Sequence, residues 1–154
     1  MQCAVVEFAR NVLNLTDAHS SEINPKAKDK VIDLMDSQKK ITYKGGTMRL
    51  GAYNCTVKKG TKAYQVYGKS NITERHRHRY EFNNKYIEKF TNAGMIPSGI
   101  NPDLNLVEIV ELKDHPWFVA SQFHPELKST VENPHPLFVN FVKAAKKYNL
   151  NGMM

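Results

Sequence analysis

The sequence predicts a single α/β domain, and three observations lead to that class. The chain has 154 residues, which is enough for one domain with one hydrophobic core. Hydrophobic residues make up 41% of it and charged residues 24%, as in ordinary globular proteins. Segments with helical periodicity stand near both ends, and the segments between them are rich in the β-branched and aromatic residues that favour strands.

The first predicted elements are a helix and a short strand. Residues 1–15 place apolar side chains at helical spacing, with a wide apolar face. The stripe comprises Val5, Phe8, Val12 and Leu15. A polar loop follows. The apolar segment KVIDLM at 30–35 is bounded by charges and predicts a strand.

The middle of the chain reads as a β-hairpin. From Gly45 onward, glycines separate stretches rich in β-branched and aromatic residues, and a Lys-Lys-Gly turn stands at 58–60. Gly51 lies inside the first stretch and indicates either a β-bulge or a close backbone approach. We therefore predict two strands joined near Gly60.

The second half predicts two strands between two helices. Residues 83–94 form a short helix that Gly94 ends. The alternating segment 104–112 predicts a strand with at least one buried face, and a turn at KDHP joins it to a strand at 117–123. The segment 135–149 is a helix whose lysines gather in its last turns, where they suit the helix dipole.

Composition and charge indicate where in the cell the protein acts and which class of ligand it could bind. No apolar run approaches the length of a membrane span, and the N-terminal stretch lacks the basic leader and cleavage site of a signal peptide. Two cysteines give no disulfide framework, so a cytoplasmic location is predicted. The net charge of +7 is dispersed along the chain, which favours a solvated lysine-rich face over phosphate-bearing ligands, and those over nucleic acid.

The segment QFHPEL carries the first candidate site. His124 follows an apolar strand end, and Glu126 stands two positions later, across Pro125. In extended backbone these two side chains point the same way, so the carboxylate could orient the imidazole and leave its other nitrogen to act as a base. Spacing alone also fits a strand-end histidine beside a solvated glutamate, and it favours that simpler interpretation.

The segment TERHRHRYEF at 73–82 carries the second candidate site. Alternation divides it into two faces: His76, His78 and Tyr80 on one, and Arg75, Arg77 and Arg79 on the other. A row of arginines can bind carboxylate or phosphate, or it can pair with the neighbouring acidic side chains of Glu74 and Glu81. Two histidines could contribute to a metal site, but no further ligands stand nearby in sequence, and no metal is predicted.

Neither cysteine is predicted to be a nucleophile. Cys3 lies in the opening helix between apolar residues, where a small buried thiol is the usual situation. Cys55 lies in the predicted hairpin. A reactive thiolate needs a helix N-terminus or a nearby cation, and Cys3 meets only the first condition, loosely.

Five stretches together resemble the glutamine amidotransferase domain of the CTP synthase family. They are MQCAVVEFARNVL, GGTMRLG, ERHRHRYE, VEIVELKDHPWFVASQFHPE and PHPLFVNFVKAA. FHPE alone indicates class I amidotransferases, whereas GGTMRLG and ERHRHRYE are more specific. The resemblance covers 1–148, with a tail at 149–154, and it implies that residues 1–154 are the C-terminal portion of such a domain. The implied fold is a flavodoxin-like, doubly wound sheet with helices on both faces, lacking its first strands and nucleophile elbow.

The resemblance also implies the site residues. In the family motif G-I-C-L-G-M-Q, the last two letters match Met1 and Gln2, so the catalytic cysteine would stand upstream of this sequence and the chain alone would be inactive. His124 and Glu126 match the general base and its orienting carboxylate. Gln2, Glu22 and Arg79 match positions that hold glutamine. Their charges suit Glu22 to the substrate ammonium and Arg79 to its carboxylate.

Cofactors and partners follow from the same resemblance. No cofactor is expected in this chain; ATP and Mg²⁺ would act in a separate synthase domain that aminates UTP to CTP, with GTP as activator. The partners implied are L-glutamine and that synthase domain, in a homotetrameric enzyme, with no membrane and no nucleic acid. The alternatives are a glutaminase-dead binding or scaffold module and, ranked lower, a basic nucleic-acid-binding domain.

Overall fold

In the computed structural model, which describes residues 1–34 and 48–151, eight strands form two sheets with helices packed against them. The smaller sheet has the order β1-β2-β5. Its strands are β1 (Ala18–Ser20), β2 (Asp29–Asp33) and β5 (Glu81–Phe82). β1 and β2 run parallel, and β5 runs antiparallel to β2. The predicted α/β class is confirmed, and β2 confirms the strand predicted at 30–35, whose last residue lies outside the described part.

The larger sheet is antiparallel throughout and has the order β4-β3-β6-β7-β8. Its strands are β3 (Arg49–Val57), β4 (Asn71–His78), β6 (Met95–Asn101), β7 (Leu106–Leu112) and β8 (Val119–Ser121). Parallel pairing within the described residues is therefore confined to β1 and β2. β7 and β8 confirm the strands predicted at 104–112 and 117–123, although β8 is shorter.

The first helix, α1 (Gln2–Asn11), ends four residues before the predicted limit. Its buried side chains belong to Val5, Phe8 and Ala9. Asn14 has a φ of 56°, in the left-handed region, so the chain cannot continue as a helix through it. The predicted apolar stripe is therefore correct over its first two turns and wrong at its end.

The hairpin predicted in the middle of the chain is wrong. Residues Lys62–Tyr67 form a helix, α2, and β3 pairs along its length with the more distant β4, in a continuous register from Arg49↔His78 to Thr56↔Asn71. Thr61 caps the helix N-terminus by accepting the N–H of Tyr64, and Gly68 ends it with a φ of 66°. These two caps specify a helix despite the aromatic and β-branched composition.

The glycines at 51 and 60 have a conformational role. Gly60 has a φ of 81° in the predicted turn, which is confirmed, but the turn leads into α2. Gly51 has a φ of 99°, no atom lies within 4 Å of where its Cβ would stand, and the register of β3 with β4 is unbroken there. The bulge or close approach predicted at Gly51 is therefore wrong; the left-handed backbone explains the glycine.

The two later helices are confirmed. A 3₁₀ turn at Asn84–Tyr86 leads into α3 (Ile87–Asn92), and Gly94 follows with a φ of 98°. The last helix, α4, spans Pro136–Asn151. Leu137 is buried, whereas three apolar side chains of the predicted face are exposed: Phe138, Phe141 and Val142. No helix in the described ranges is long and apolar enough to cross a membrane.

A buried ion network connects strands of the two sheets. The guanidinium of Arg49 contacts Glu81 Oε1 at 3.3 Å and Glu108 Oε1 at 2.7 Å, and all three side chains are almost fully buried. Burial raises the pKa of Glu81 to about 8, against the opposing charge of Arg49. The network ties β3 to β5 and β7, and its loss would leave charged groups without water or partner.

Candidate active site

His124 and Glu126 form a hydrogen-bonded pair. His124 Nδ1 lies 2.7 Å from Glu126 Oε1, and the two side chains are 39% and 58% exposed. A carboxylate on Nδ1 holds the ring in one orientation and directs proton exchange to Nε2. The pair therefore has the geometry of a base and its orienting carboxylate.

The pair is formed by a turn. The spacing predicted extended backbone, and that prediction is wrong. His124 is the N-cap of a 3₁₀ turn at Pro125–Lys128, so Glu126 lies within the turn. Proline suits the first position of that turn because it needs no N–H there. The backbone N–H of His124 donates to Arg75 O on β4 at 2.9 Å, which fixes the turn against the sheet.

Glu126 is ionised over a wider pH range than an ordinary glutamate. Its slight burial would raise the pKa, but the hydrogen bond from His124, a backbone hydrogen bond and the charge of His124 outweigh that effect and lower the pKa. The carboxylate form, which orients the ring, is therefore present at neutral pH and is lost only as the pH falls through this lowered value.

A cleft of about 500 Å³ opens beside this pair. Four of the residues predicted to act on glutamine line it: Gln2, Glu22, Arg79 and His124. Glu126 stands behind the imidazole, outside the lining. Glu22 is exposed, while Gln2 and Arg79 are partly buried. The structure thus brings together side chains from α1, the loop after β1, the segment after β4 and the segment after β8.

The carbonyl of Tyr80 holds two amide side chains at the cleft. It accepts a hydrogen bond from Gln2 Nε2 at 3.1 Å and one from Gln122 Nε2 at 2.8 Å. Gln2 is thereby oriented with its Oε1 as the remaining acceptor. Neither Gln122 nor the Tyr80 carbonyl was predicted to belong to the site. For Gln122 there was a usable signal, because it lies two positions before His124 on the buried side of the predicted strand.

β4 confirms the predicted alternation. His76 is buried, whereas Arg75 and Arg77 are exposed. The glutamates that might have neutralised the arginines point inward: Glu81 binds Arg49, and Glu74 accepts from Tyr67 at 3.0 Å. The pairing of Arg75 and Arg77 with Glu74 and Glu81 is therefore wrong.

The two histidines of β4 are neutral at physiological pH. Burial, followed by the positive charge of Arg49, lowers the pKa of His76 and of His78 to about 3. His76 Nδ1 lies 2.8 Å from His78 Nε2, a hydrogen-bond distance that requires a proton on one of these two nitrogens only.

The two cysteines differ in exposure, and one differs from the prediction. Cys3 is exposed and lines the cleft, so the expected buried thiol is wrong there. The side chain points away from the core face of α1, which Val5 and Phe8 occupy. Cys55 is buried, and burial, with Glu108 and Glu74 nearby, raises the pKa of its thiol to about 12.

We expect a thiol reagent to modify one cysteine of the native chain rapidly. At pH 8 the thiolate fraction of Cys55 is on the order of 10⁻⁴, and its side chain is shielded, so Cys3 reacts first and Cys55 only after denaturation. Timed absorbance with Cys3→Ser and Cys55→Ser variants assigns the two phases. Two rapid equivalents in native buffer would contradict the buried environment of Cys55.

Comparison with known proteins places this geometry in context. A family model described as glutamine amidotransferase class-I matches residues 1–144. A CTP synthase of Cytophaga hutchinsonii is 66% identical over 148 residues, and one of Christiangramia forsetii is 61% identical over 150 residues. These alignments cover 96% and 97% of this chain but 28% of each relative. The chain therefore spans little more than a quarter of these curated relatives.

A solved structure matches over nearly the same extent. The glutaminase domain of Trypanosoma brucei CTPS with bound acivicin superposes with a TM-score of 0.88 at 38% sequence identity. The match covers 96% of this chain and 57% of that one. The described elements thus correspond to a large part of a glutaminase domain.

Proposed function

Because the chain belongs to the class-I glutamine amidotransferase family, we propose that it supplies the glutamine-binding residues and the general base of the glutaminase of a CTP synthase. The observation that carries this proposal is the 2.7 Å contact between His124 and Glu126 beside a cleft lined by Gln2, Glu22 and Arg79. If His124 were only a strand-end histidine beside a solvated glutamate, nothing would require its ring to be held in one orientation. Nor would anything require Gln2, Glu22 and Arg79 to line the same cleft.

The proposed chemistry is acyl transfer from the glutamine side-chain amide. A cysteine thiolate attacks the amide carbon, and the imidazole of His124, held by Glu126, protonates the departing nitrogen, so that ammonia leaves and a thioester remains. His124 then takes a proton from water as that water attacks the thioester, which releases glutamate and the thiol. In this proposal the thiol is that of a cysteine other than Cys3 and Cys55.

Charge complementarity supports the substrate assignment. The α-ammonium of glutamine would be bound by the carboxylate of Glu22, and its α-carboxylate by the guanidinium of Arg79. Gln2, oriented by the Tyr80 carbonyl, offers Oε1 as an acceptor for a substrate N–H. Both charged ends of an amino acid are thereby bound, which leaves its side-chain amide to approach His124.

The wider reaction extends beyond this chain. In the proposed enzyme, a cytoplasmic homotetrameric ligase of pyrimidine biosynthesis, the ammonia passes to a synthase domain. That domain binds UTP and ATP with Mg²⁺ and forms CTP, and GTP activates the glutaminase.

Ammonia release tests the proposal. We expect none above background from the chain with L-glutamine, and turnover from a fusion in which the preceding part of the Cytophaga hutchinsonii glutaminase domain is joined at Met1. Suppose that the chain alone releases ammonia and that the Cys3→Ser variant does not. The nucleophilic thiol would then be that of Cys3, and its assignment to another cysteine would be wrong. A folded fusion that shows no glutaminase activity would contradict the proposal and favour a scaffold module.

Neutralising either charged substrate contact should raise KM. In the fusion, Glu22→Gln or Arg79→Gln removes a charge-assisted hydrogen bond of roughly 1.5–3 kcal/mol, equivalent to about 10- to 100-fold in KM. The value of kcat should change much less, because neither group touches the reacting amide. Arg75→Gln, an exposed arginine of β4 outside the cleft lining, is the matched control. A fall in kcat with KM unchanged would contradict these roles.

A further inference from the structure

We propose that His76, His78 and Glu108 form a binding site for a divalent transition-metal ion of the zinc class, at the inner side of the cleft. The sequence offered only the two histidines of β4 as ligands. The fold adds Glu108 from β7, so that one donor atom from each residue lies within 4.8 Å of the others. Glu108 is remote in sequence and could not be associated with the pair before the strands were placed.

Two of the three distances between ligand atoms fit a tetrahedral ion after small movements, and the third, between His78 and Glu108, is at most 4.8 Å. His76 Nδ1 lies 2.8 Å from His78 Nε2 and 3.7 Å from Glu108 Oε2. Donor atoms about 2.0–2.2 Å from a tetrahedral zinc ion stand roughly 3.3 Å from one another. Both distances therefore change by about half an ångström, one outward and one inward, when an ion enters.

Two of the three ligands already have the partners that metal ligands need. His78 Nδ1 lies 3.3 Å from the Tyr80 carbonyl and 3.3 Å from Glu81 Oε1, so its proton belongs on Nδ1 and its Nε2 lone pair points to the site. Glu108 Oε1 accepts from Arg49 at 2.7 Å, which leaves Oε2 for the ion. Such outer contacts orient the ligand atoms and tune the metal.

An unpartnered buried oxygen points independently to a ligand. Glu108 is fully buried, and its Oε2 has no hydrogen-bond partner within the described residues. A buried carboxylate oxygen left without a partner costs free energy, since nothing replaces the water it lost. A cation bound between this oxygen and the two imidazoles would satisfy it.

The ligand set selects the class of ion. Two imidazoles and one carboxylate suit Zn²⁺, Co²⁺ or Ni²⁺, whereas Mg²⁺ and Ca²⁺ prefer oxygen ligands alone. His78 lines the cleft, so water from the cleft can complete the coordination. The nearby guanidinium of Arg49 repels a cation, and we therefore expect micromolar binding and not the much tighter binding of structural zinc sites.

Cobalt absorption tests the site directly. Titration of the chain with Co²⁺ should produce the intense visible bands of a four-coordinate ion, saturating at one equivalent and disappearing on addition of Zn²⁺. His78→Asn and the isosteric Glu108→Gln should each weaken binding at least tenfold, with far-UV circular dichroism used to verify the fold. His115→Asn, an exposed histidine elsewhere, and Cys3→Ser should leave the titration unchanged.

Three results would overturn the proposal. The first is the absence of four-coordinate bands, or weak bands of a six-coordinate ion only. The second is an unchanged titration in folded His78→Asn and Glu108→Gln variants. The third is loss of the bands in His115→Asn or Cys3→Ser, which would assign the ion to an adventitious surface site. Cobalt absorption does not depend on glutamine hydrolysis. Failure of the metal-site proposal can therefore be distinguished from failure of the proposed function.

Discussion

Replacing His124 with asparagine in the fused glutaminase is expected to lower kcat by about 10²–10⁴-fold, the range that a positioned general acid–base supplies. Asparagine can replace one hydrogen bond of the ring but cannot carry a proton between the thiol, the leaving nitrogen and water. KM should change little, because the proposal assigns glutamine binding to Glu22 and Arg79. Steady-state ammonia release measures both constants.

Glu126→Gln should cause a smaller loss than His124→Asn. Its amide oxygen can still accept the Nδ1 hydrogen bond, but a neutral group no longer stabilises the positive charge that the imidazole gains during proton transfer. Glu132→Gln, an exposed glutamate further along the chain, is the control and should have no effect. Full activity in a folded His124→Asn variant would contradict the general-base role.

The largest effect on stability is expected at Arg49. Arg49→Met keeps much of the side-chain volume but leaves the carboxylate of Glu108, and above about pH 8 that of Glu81 as well, buried without its cation. Breaking a buried ion pair on one side costs about 3–5 kcal/mol of unfolding free energy, which is a large share of the stability of an ordinary domain. Chemical denaturation followed by circular dichroism measures the difference.

Two further variants separate charge from side-chain packing. Arg77→Met, an exposed arginine on the neighbouring strand, should change the unfolding free energy by no more than about 0.5 kcal/mol. The triple variant Arg49→Met with Glu81→Gln and Glu108→Gln should recover much of the loss, since no buried charge then lacks a partner. A loss in the triple variant equal to that of Arg49→Met alone would show that packing, and not charge, is responsible.

Much of the fold could be predicted because its signals are local. The periodicity of residues 104–112, the helix stop at Gly94 and the helical spacing after residue 135 each report on their own segment. The prediction of a hairpin across Lys62–Tyr67 is wrong because the caps Thr61 and Gly68, both visible in the sequence, outweigh the strand-like composition between them. The extent of parallel pairing depends on long-range contacts that no local pattern specifies.

The site was predictable only where neighbours in sequence are neighbours in space. His124 and Glu126 are two positions apart, and a tight turn brings them together by a route other than the one their spacing indicated. Gln2, Glu22 and Arg79 were associated through family resemblance, because their convergence depends on the whole fold. Glu108 reads as a charged residue of an alternating strand, and only the positions of β4 and β7 bring it to the histidines.

Nuclear magnetic resonance of the chain during titration with L-glutamine tests the central claim most directly. We predict saturable chemical-shift changes at Gln2, Glu22, Arg79 and the His124 ring, with millimolar affinity, and much weaker changes with D-glutamine, which cannot present both charged ends and the amide together. Shifts that cluster away from the cleft, or no shifts at the highest soluble concentration, would contradict the assignment of this cleft to glutamine.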